Sequence, residues 1–296
     1  MKNGLIIINK GEGLSSQGVV TRVKRLLGAA KAGHTGTLDP LATGVLPVLV
    51  ERGVKASEFM LTKDKHYRAT VLFGITTDTE DITGKVLTEC DRTPSEDEVV
   101  SAAESFIGEY MQTPPMYSAI KIGGKKLCDL AREGKEIERE KRRVEIFSLS
   151  VKRLSEREYA LDVHCSKGTY IRTLCADIGQ KLGTGAVMKA LCRTEASGFT
   201  LADASTLEEL EAMTDAEREA RVLPVELIFK DKREVRLPEF FERLARNGVE
   251  IYLKKLGIEL DSGEIVKLAD KNGSFFALGQ VMEFAGGAAI KPIRQF

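Results

Sequence analysis

Residues 4–9 (GLIIIN) are apolar almost throughout, which predicts a short buried strand. Ser15 and Ser16 then precede Val19, Val20, Val23, Leu26 and Leu27 at helical spacing, and Gly28 closes the pattern. This predicts a capped amphipathic helix. Residues 31–44 (KAGHTGTLDPLATG) show neither period. Their glycines, threonines and Asp-Pro step predict a shaped loop without regular structure. A strand is expected at 46–50 and a helix around 53–62. Residues 66–74 alternate as a strand, and an acidic, turn-rich loop (TTDTEDITG) follows. A helix is expected over 95–107. Residues 113–142 read as a long polar insertion punctuated by Pro114-Pro115 and Gly123-Gly124. Residues 144–154 and 158–166 alternate as strands and are candidate neighbours. Positions 171, 174, 175, 178 and 182 are apolar, which marks a helix over 170–183. Helical pieces continue from 206 to 223.

Beyond about residue 234 the pattern changes to short strands, with Asn272-Gly273 as a hairpin turn. The chain therefore reads as an α+β protein with a large first unit, 1–232, and a small β-rich second one, 233–296. No repeat recurs along it. No G-x-G-x-x-G follows the first strand and no G-x-x-x-x-G-K-[ST] occurs, so nucleotide-cofactor folds have no sequence support.

Composition narrows the class. With 43% hydrophobic and 30% charged residues among 296, the chain is expected to be globular with a sizeable core. No apolar run reaches the ~18 residues that suggest a membrane span. The start, MKNGLIIINK, is too soon polar for a signal peptide, so a cytoplasmic protein is expected. Five cysteines (Cys90, Cys128, Cys165, Cys175, Cys192) are scattered and never spaced C-x-x-C, which favours reduced thiols. His34, His66 and His164 form no H-x-x-x-H pair, and no metal is expected.

Charge changes the picture most. Forty-four basic residues balance forty-four acidic ones, which argues against binding nucleic acid by bulk charge. The zero is a sum of opposed blocks. Residues 1–36 carry a net +5 and 116–193 a net +7, against −8 over 74–115 and −6 over 203–226. Local positive surfaces remain available to an anionic partner.

The chemistry concentrates in Gly33-His34-Thr35-Gly36-Thr37-Leu38-Asp39-Pro40-Leu41-Ala42-Thr43-Gly44. Glycines let a backbone approach a ligand, and Pro40 stiffens the chain after Asp39. One carboxylate can thus project from a rigid turn. This segment closely resembles the signature of the TruB family of pseudouridine synthases. INKGEGLSS around Lys10, KHYR (65–68), the insertion QTPPMYSAIKIGGKKLCDLAREG, CSKGTYIRTL (165–174) and ALCR (190–193) resemble its other motifs in order and spacing.

The resemblance implies a pseudouridine synthase fold, a mixed and largely antiparallel sheet with flanking helices, followed by a PUA-like RNA-binding module. It implies isomerisation of uridine-55 in the T-loop of tRNA to its C5-linked form, after base flipping. No cofactor is implied, because the reaction transfers nothing to or from a carrier. By the same resemblance Asp39 is the catalytic carboxylate, as nucleophile or as general base, and Arg172 is its partner. Tyr67 stacks on the target base and could handle a proton at the end. Tyr170 and Leu191 line the pocket, His34 contacts the RNA, and Lys10 supports the Asp39 loop or a phosphate. The insertion at 113–142 is expected to close on the T-arm. A monomer without obligatory protein partners is expected. Two rivals stand beside this reading: a tRNA-folding or RNA-binding protein with dispensable catalysis, and an RNA-guided rRNA pseudouridine synthase.

Overall fold

The computed structural model describes residues 3–296. Strand β1 (Gly4–Lys10) is buried on both faces, which is why its sequence is a continuous apolar run. Helix α1 (Ser16–Leu26) starts where the Ser15 side chain accepts a hydrogen bond from the Gly18 N–H at 3.0 Å. Its Val19, Val20 and Val23 enter the core. Strands β2 (Ala32–His34) and β3 (Thr43–Val50) follow.

Residues 31–44 are not the wholly irregular loop that their sequence predicts, because Ala32–His34 form a strand. Ala32, Gly33 and His34 pair antiparallel with Val50, Leu49 and Val48. β2 lies on the edge of β3 opposite β1, along Val48–Val50 where β12 does not reach, so these backbone groups find partners that a free loop would not give them.

A 3-10 turn (Glu51–Ala56) runs into α2 (Ser57–Leu61). β4 (Lys65–Phe73) then alternates cleanly. Lys65, Tyr67, Ala69, Val71 and Phe73 point inward, and His66 and Arg68 point to the opposite face. β5 (Ile75–Thr77) and β6 (Val86–Glu89) form a small hairpin, and α3 (Glu96–Glu104) opens on a Ser95/Glu98 capping box. β7 (Gly108–Gln112) precedes the insertion. That insertion holds a two-stranded hairpin, β8 (Lys121–Ile122) and β9 (Lys125–Lys126), turned at Gly123-Gly124, and then α4 (Leu127–Arg132). β10 (Arg142–Arg153) and β11 (Glu158–Cys165) pair antiparallel, as their alternation predicts. α5 (Ile171–Leu182) ends on Gly183 in the left-handed region, followed by β12 (Ala186–Ala196) and the short β13 (Phe199–Thr200).

Helices α6 (Leu207–Ala212) and α7 (Asp215–Ala220) lead to β14 (Leu223–Pro224), which pairs with β1. The main sheet runs β14-β1-β3-β12-β4-β11-β10-β7, with β2 and β13 attached to β3 and β12. It is antiparallel except where β12 meets β3. α1, α3 and α5 pack on one face with Val20, Val99, Leu174 and Ile178.

The remaining strands are β15 (Glu234–Arg236), β16 (Ile251–Tyr252), β17 (Ile265–Ala269), β18 (Phe275–Phe284) and β19 (Gly287–Gln295). They form a separate five-stranded sheet, and helices α8 (Glu239–Arg246) and α9 (Leu253–Leu256) lie between them in the chain. Phe229 packs against Phe275 and Phe296, which joins this sheet to the first unit. Among the described residues no helix is long and apolar enough to cross a membrane.

Candidate active site

The loop between β2 and β3 is held from below. Lys10 is fully buried, and its Nζ donates to the carbonyls of Gly11 (2.9 Å), Pro40 (3.2 Å) and Ala42 (2.5 Å). Ser16, at the start of α1, bonds both the N–H and the C=O of Leu38, at 2.8 and 2.9 Å. The Ala42 N–H donates to the Asp39 carbonyl at 3.0 Å. These contacts fix the backbone on both sides of Asp39. Gly44 lets β3 and β12 meet, because a Cβ there would lie 2.2 Å from the Arg193 carbonyl oxygen.

The Asp39 carboxylate faces Arg172 on the first turn of α5, with Oδ2 2.9 Å from Nε. Arg172 is 5% exposed and uses every edge of its guanidinium. Nη1 donates to the Thr79 carbonyl at 3.0 Å, Nη2 donates to the Tyr117 carbonyl at 2.8 Å, and Asp81 Oδ2 lies 3.9 Å from Nη1. Asp81 is itself held by the Thr79 hydroxyl (2.8 Å) and by the Thr83 N–H (3.0 Å) and hydroxyl (2.6 Å). A planar fork pairing several acceptors is what arginine does and lysine cannot.

Asp39, Tyr67, Tyr170, Arg172 and Leu191 line one cavity of about 590 Å³. Tyr117, Ser118, Cys128 and Arg132 of the insertion also line it. The Tyr170 backbone is clamped by the Gln112 side chain, which donates to its carbonyl at 3.0 Å and accepts from its N–H at 2.8 Å. Two of the candidates are placed elsewhere. Lys10 lies beneath the loop, and His34 sits on β2 with a buried Nδ1 that has no hydrogen-bond partner.

Three further residues belong to the site without a role that sequence reasoning assigns them. Arg193, 1% exposed, lies opposite Tyr67 across the β12–β4 pair. It donates to the carbonyls of Val45 (2.7 Å) and Gly36 (3.2 Å), tying the loop to the sheet. An arginine inside an otherwise half-apolar run (AVMKALCRTEA) was the available signal, since a buried charge must have partners. Asp81 and Lys65 also face the cavity. Only the register of β4 and the fold of the acidic turn bring them there.

Burial pushes Asp39 above the ordinary carboxylate value, Arg172 pulls it down, and neighbouring Asp81 pushes it up. Activity that needs ionised Asp39 should therefore fall as pH drops through a midpoint above 3.8. The acid limb of kcat/KM measures this directly. An acid limb at or below the ordinary aspartate value would contradict the environment described. Burial also raises the Tyr67 phenol, which stays protonated at neutral pH.

Lys10 is lowered to about 8, chiefly by burial, and Lys65 to about 8 for the same reason. Between that value and the ordinary lysine value of 10.5 the unfolded chain binds more protons than the native one. Stability contributed by these lysines thus rises with pH across that window and is lost as pH falls through about 8. Lys10→Met should remove one of the two contributions and flatten the slope. It should also leave carbonyls under the loop without a donor, lowering stability by about 2–3 kcal/mol, read as a lower urea midpoint at unchanged m.

The comparisons with known proteins agree with this geometry. The family model "TruB family pseudouridylate synthase (N terminal domain)" matches residues 24–171, and "tRNA pseudouridylate synthase B C-terminal domain" matches 172–230, ending before the five-stranded sheet. The tRNA pseudouridine synthase B of Alkaliphilus oremlandii (strain OhILAs) is 47% identical over 250 residues, 84% of this chain and 83% of its own. That of Clostridium tetani (strain Massachusetts / E88) is 40% identical over 94% of this chain and 95% of its own. Among solved structures, an H/ACA RNP bound to a substrate RNA containing 2'-deoxyuridine superposes with a TM-score of 0.73 at 23% identity, over 99% of this chain and 84% of that one. A Cbf5-Nop10-Gar1 complex gives 0.70 at 24%, again over 99% and 84%. At such identity these two speak to the fold alone.

Fold, family models and cavity together define a pseudouridine synthase. The chain belongs to the TruB family of that class.

Proposed function

We propose that this protein isomerises uridine-55 in the T-loop of tRNA to pseudouridine. The observation that carries the proposal is the Asp39–Arg172 pair at 2.9 Å, set in a cavity framed by Tyr67, Tyr170 and Leu191. Relatives that share up to 47% identity are tRNA pseudouridine synthases, which supplies the RNA class.

The chemistry needs one bond broken and one made on the same nucleoside. The N1–C1′ bond breaks, the uracil turns, C5 bonds to C1′, and the C5 proton leaves while N1 gains one. Atoms and electrons balance within the substrate, so the reaction itself calls for no cofactor. Asp39 acts on the nucleoside as an ionised carboxylate, by attack or by removing a proton. Arg172 and Asp81 orient it. Tyr67 offers a flat ring for a base that has lost its stacking partners, an exchange worth about 1–3 kcal/mol. Its protonated phenol can also donate a hydrogen bond. Lys10 and Arg193 act by holding the loop. Arg132 and the lysines of the β8–β9 hairpin present positive charge to RNA phosphates, which makes binding salt-dependent. The second sheet extends the RNA-binding surface, and the chain works as a cytoplasmic monomer.

The test is incubation of the purified protein with an unmodified tRNA transcript and no cofactor, followed by mapping of pseudouridine. The expected product is one pseudouridine, at position 55. Product at another position, or none, would overturn the assignment.

A further inference from the structure

The face of β4 and β11 that turns away from the cavity gathers two histidines and two carboxylates. His66 and His164 are direct cross-strand partners, with rings stacked 3.8 Å apart at 12°. Asp64, just before β4, reaches His164 Nε2 with Oδ2. The register shift of β12 between Arg193 and Glu195 brings Glu195 beside His66, with Oε2 3.9 Å from Nε2. One ligand atom each from Asp64, His66 and His164 all lie within 4.8 Å of one another. Phe147 shields one edge, its ring 4.7 Å from that of His164.

We infer that this cluster is a binding site for a borderline-soft divalent transition cation, of which zinc is the representative. Two imidazoles and a carboxylate are a donor set that zinc takes, and they discriminate against magnesium, which takes oxygen ligands. Zinc–ligand bonds of about 2.0–2.2 Å need ligand atoms closer together than 4.8 Å. Closing that gap requires the side chains to turn, the two imidazoles out of their stack included. His66, Asp64 and Glu195 are 40%, 49% and 37% exposed, so each can turn without disturbing the core. The backbone positions of the two histidines are meanwhile fixed by paired strands. Asp64 and the histidines supply three ligands, and Glu195 or water completes a tetrahedron. A cation held there would pin three strands whose other faces carry Tyr67, Cys165 and Arg193. The site stands apart from the Asp39 cavity, whose lining includes none of its four residues.

Metal-free, reduced full-length protein should be titrated calorimetrically with zinc in excess magnesium. One zinc per chain is expected. His66→Gln and His164→Gln should each weaken it at least tenfold, and the double variant should abolish it. Zinc should also raise the Tm of wild type and leave that of the double variant unchanged. Circular dichroism matching wild type checks that the variants fold. No binding, or binding at wild-type affinity in the folded double variant, would overturn the proposal. The second result would assign the metal to other groups such as the cysteines.

Discussion

Asp39→Asn is expected to bind tRNA as tightly as wild type and to form pseudouridine at least about a thousandfold more slowly. The substitution keeps the shape of the side chain and its place above Lys10. It removes only the charge that attacks the nucleoside or accepts its proton; a general base alone is typically worth about 10²–10⁴-fold, and a lost nucleophile closes the covalent route. The neutral amide also needs no guanidinium partner, so Arg172 keeps its bonds to the carbonyls of Thr79 and Tyr117. The fold should therefore survive, and the loss should fall on kcat. Single-turnover rates at saturating enzyme, beside filter-binding affinity, separate the two effects. Parallel loss of binding and rate would mean that Asp39 holds the RNA rather than acting on it.

Arg172→Ala should show the second largest effect, on rate and stability together. The wild-type side chain is 5% exposed and faces Asp39, Asp81 and two carbonyls. Its removal leaves Asp81, which is 6% exposed, without its cationic neighbour. Breaking a buried pair from one side costs about 3–5 kcal/mol, and the 36% exposure of the Asp39 side chain argues for the lower end of that range. Freed from Arg172, Asp39 should also ionise only at higher pH, because burial and Asp81 both push its pKa up. The acid limb of kcat/KM should move upward and the rate fall at least about a hundredfold, the usual cost of a displaced catalytic group. Arg172→Lys should recover part of the stability and little of the rate, since one ammonium cannot serve Asp39 and both carbonyls. An Arg172→Lys enzyme with wild-type kcat and pH profile would show that positive charge alone suffices.

The elements legible in the sequence are those whose signals are local. β1 is an apolar run, α1 carries its cap at Ser15, and β10 and β11 alternate on either side of a short turn. The central strand β12 was not legible. Register shifts at Met188/Ala190 and Arg193/Glu195 break its alternation, so no period of two survives to be seen. Helix α8 was hidden among the short strands around it. β2 owes its existence to the stretch of β3's second edge that β12 leaves unpaired, which no local pattern reports.

The site divides the same way. Asp39, Tyr67, Tyr170, Leu191 and Arg172 sit in motifs, so family resemblance singled them out before the fold brought them to one cavity. Lys65 and Arg193 lie in the same resembling segments and Asp81 in the acidic turn, but their roles come from long-range pairing that no local pattern reports. His66 and His164 looked unremarkable along the chain because their partnership exists only across two strands. The zero net charge was the most misleading global signal. The buried positive groups around Asp39 (Lys10, Lys65, Arg172 and Arg193) are balanced in the total by acidic segments such as 203–226.

The most direct test follows the hydrogen that the isomerisation must release. C5 of the target uridine loses its proton when it bonds to C1′, so an unmodified tRNA labelled with tritium at uridine C5 reports each turnover as tritium in water. Wild type is expected to release one uridine equivalent per tRNA, while Asp39→Asn releases none above background although it binds the same RNA. Release by Asp39→Asn at the wild-type rate would contradict the assignment of the chemistry to this carboxylate.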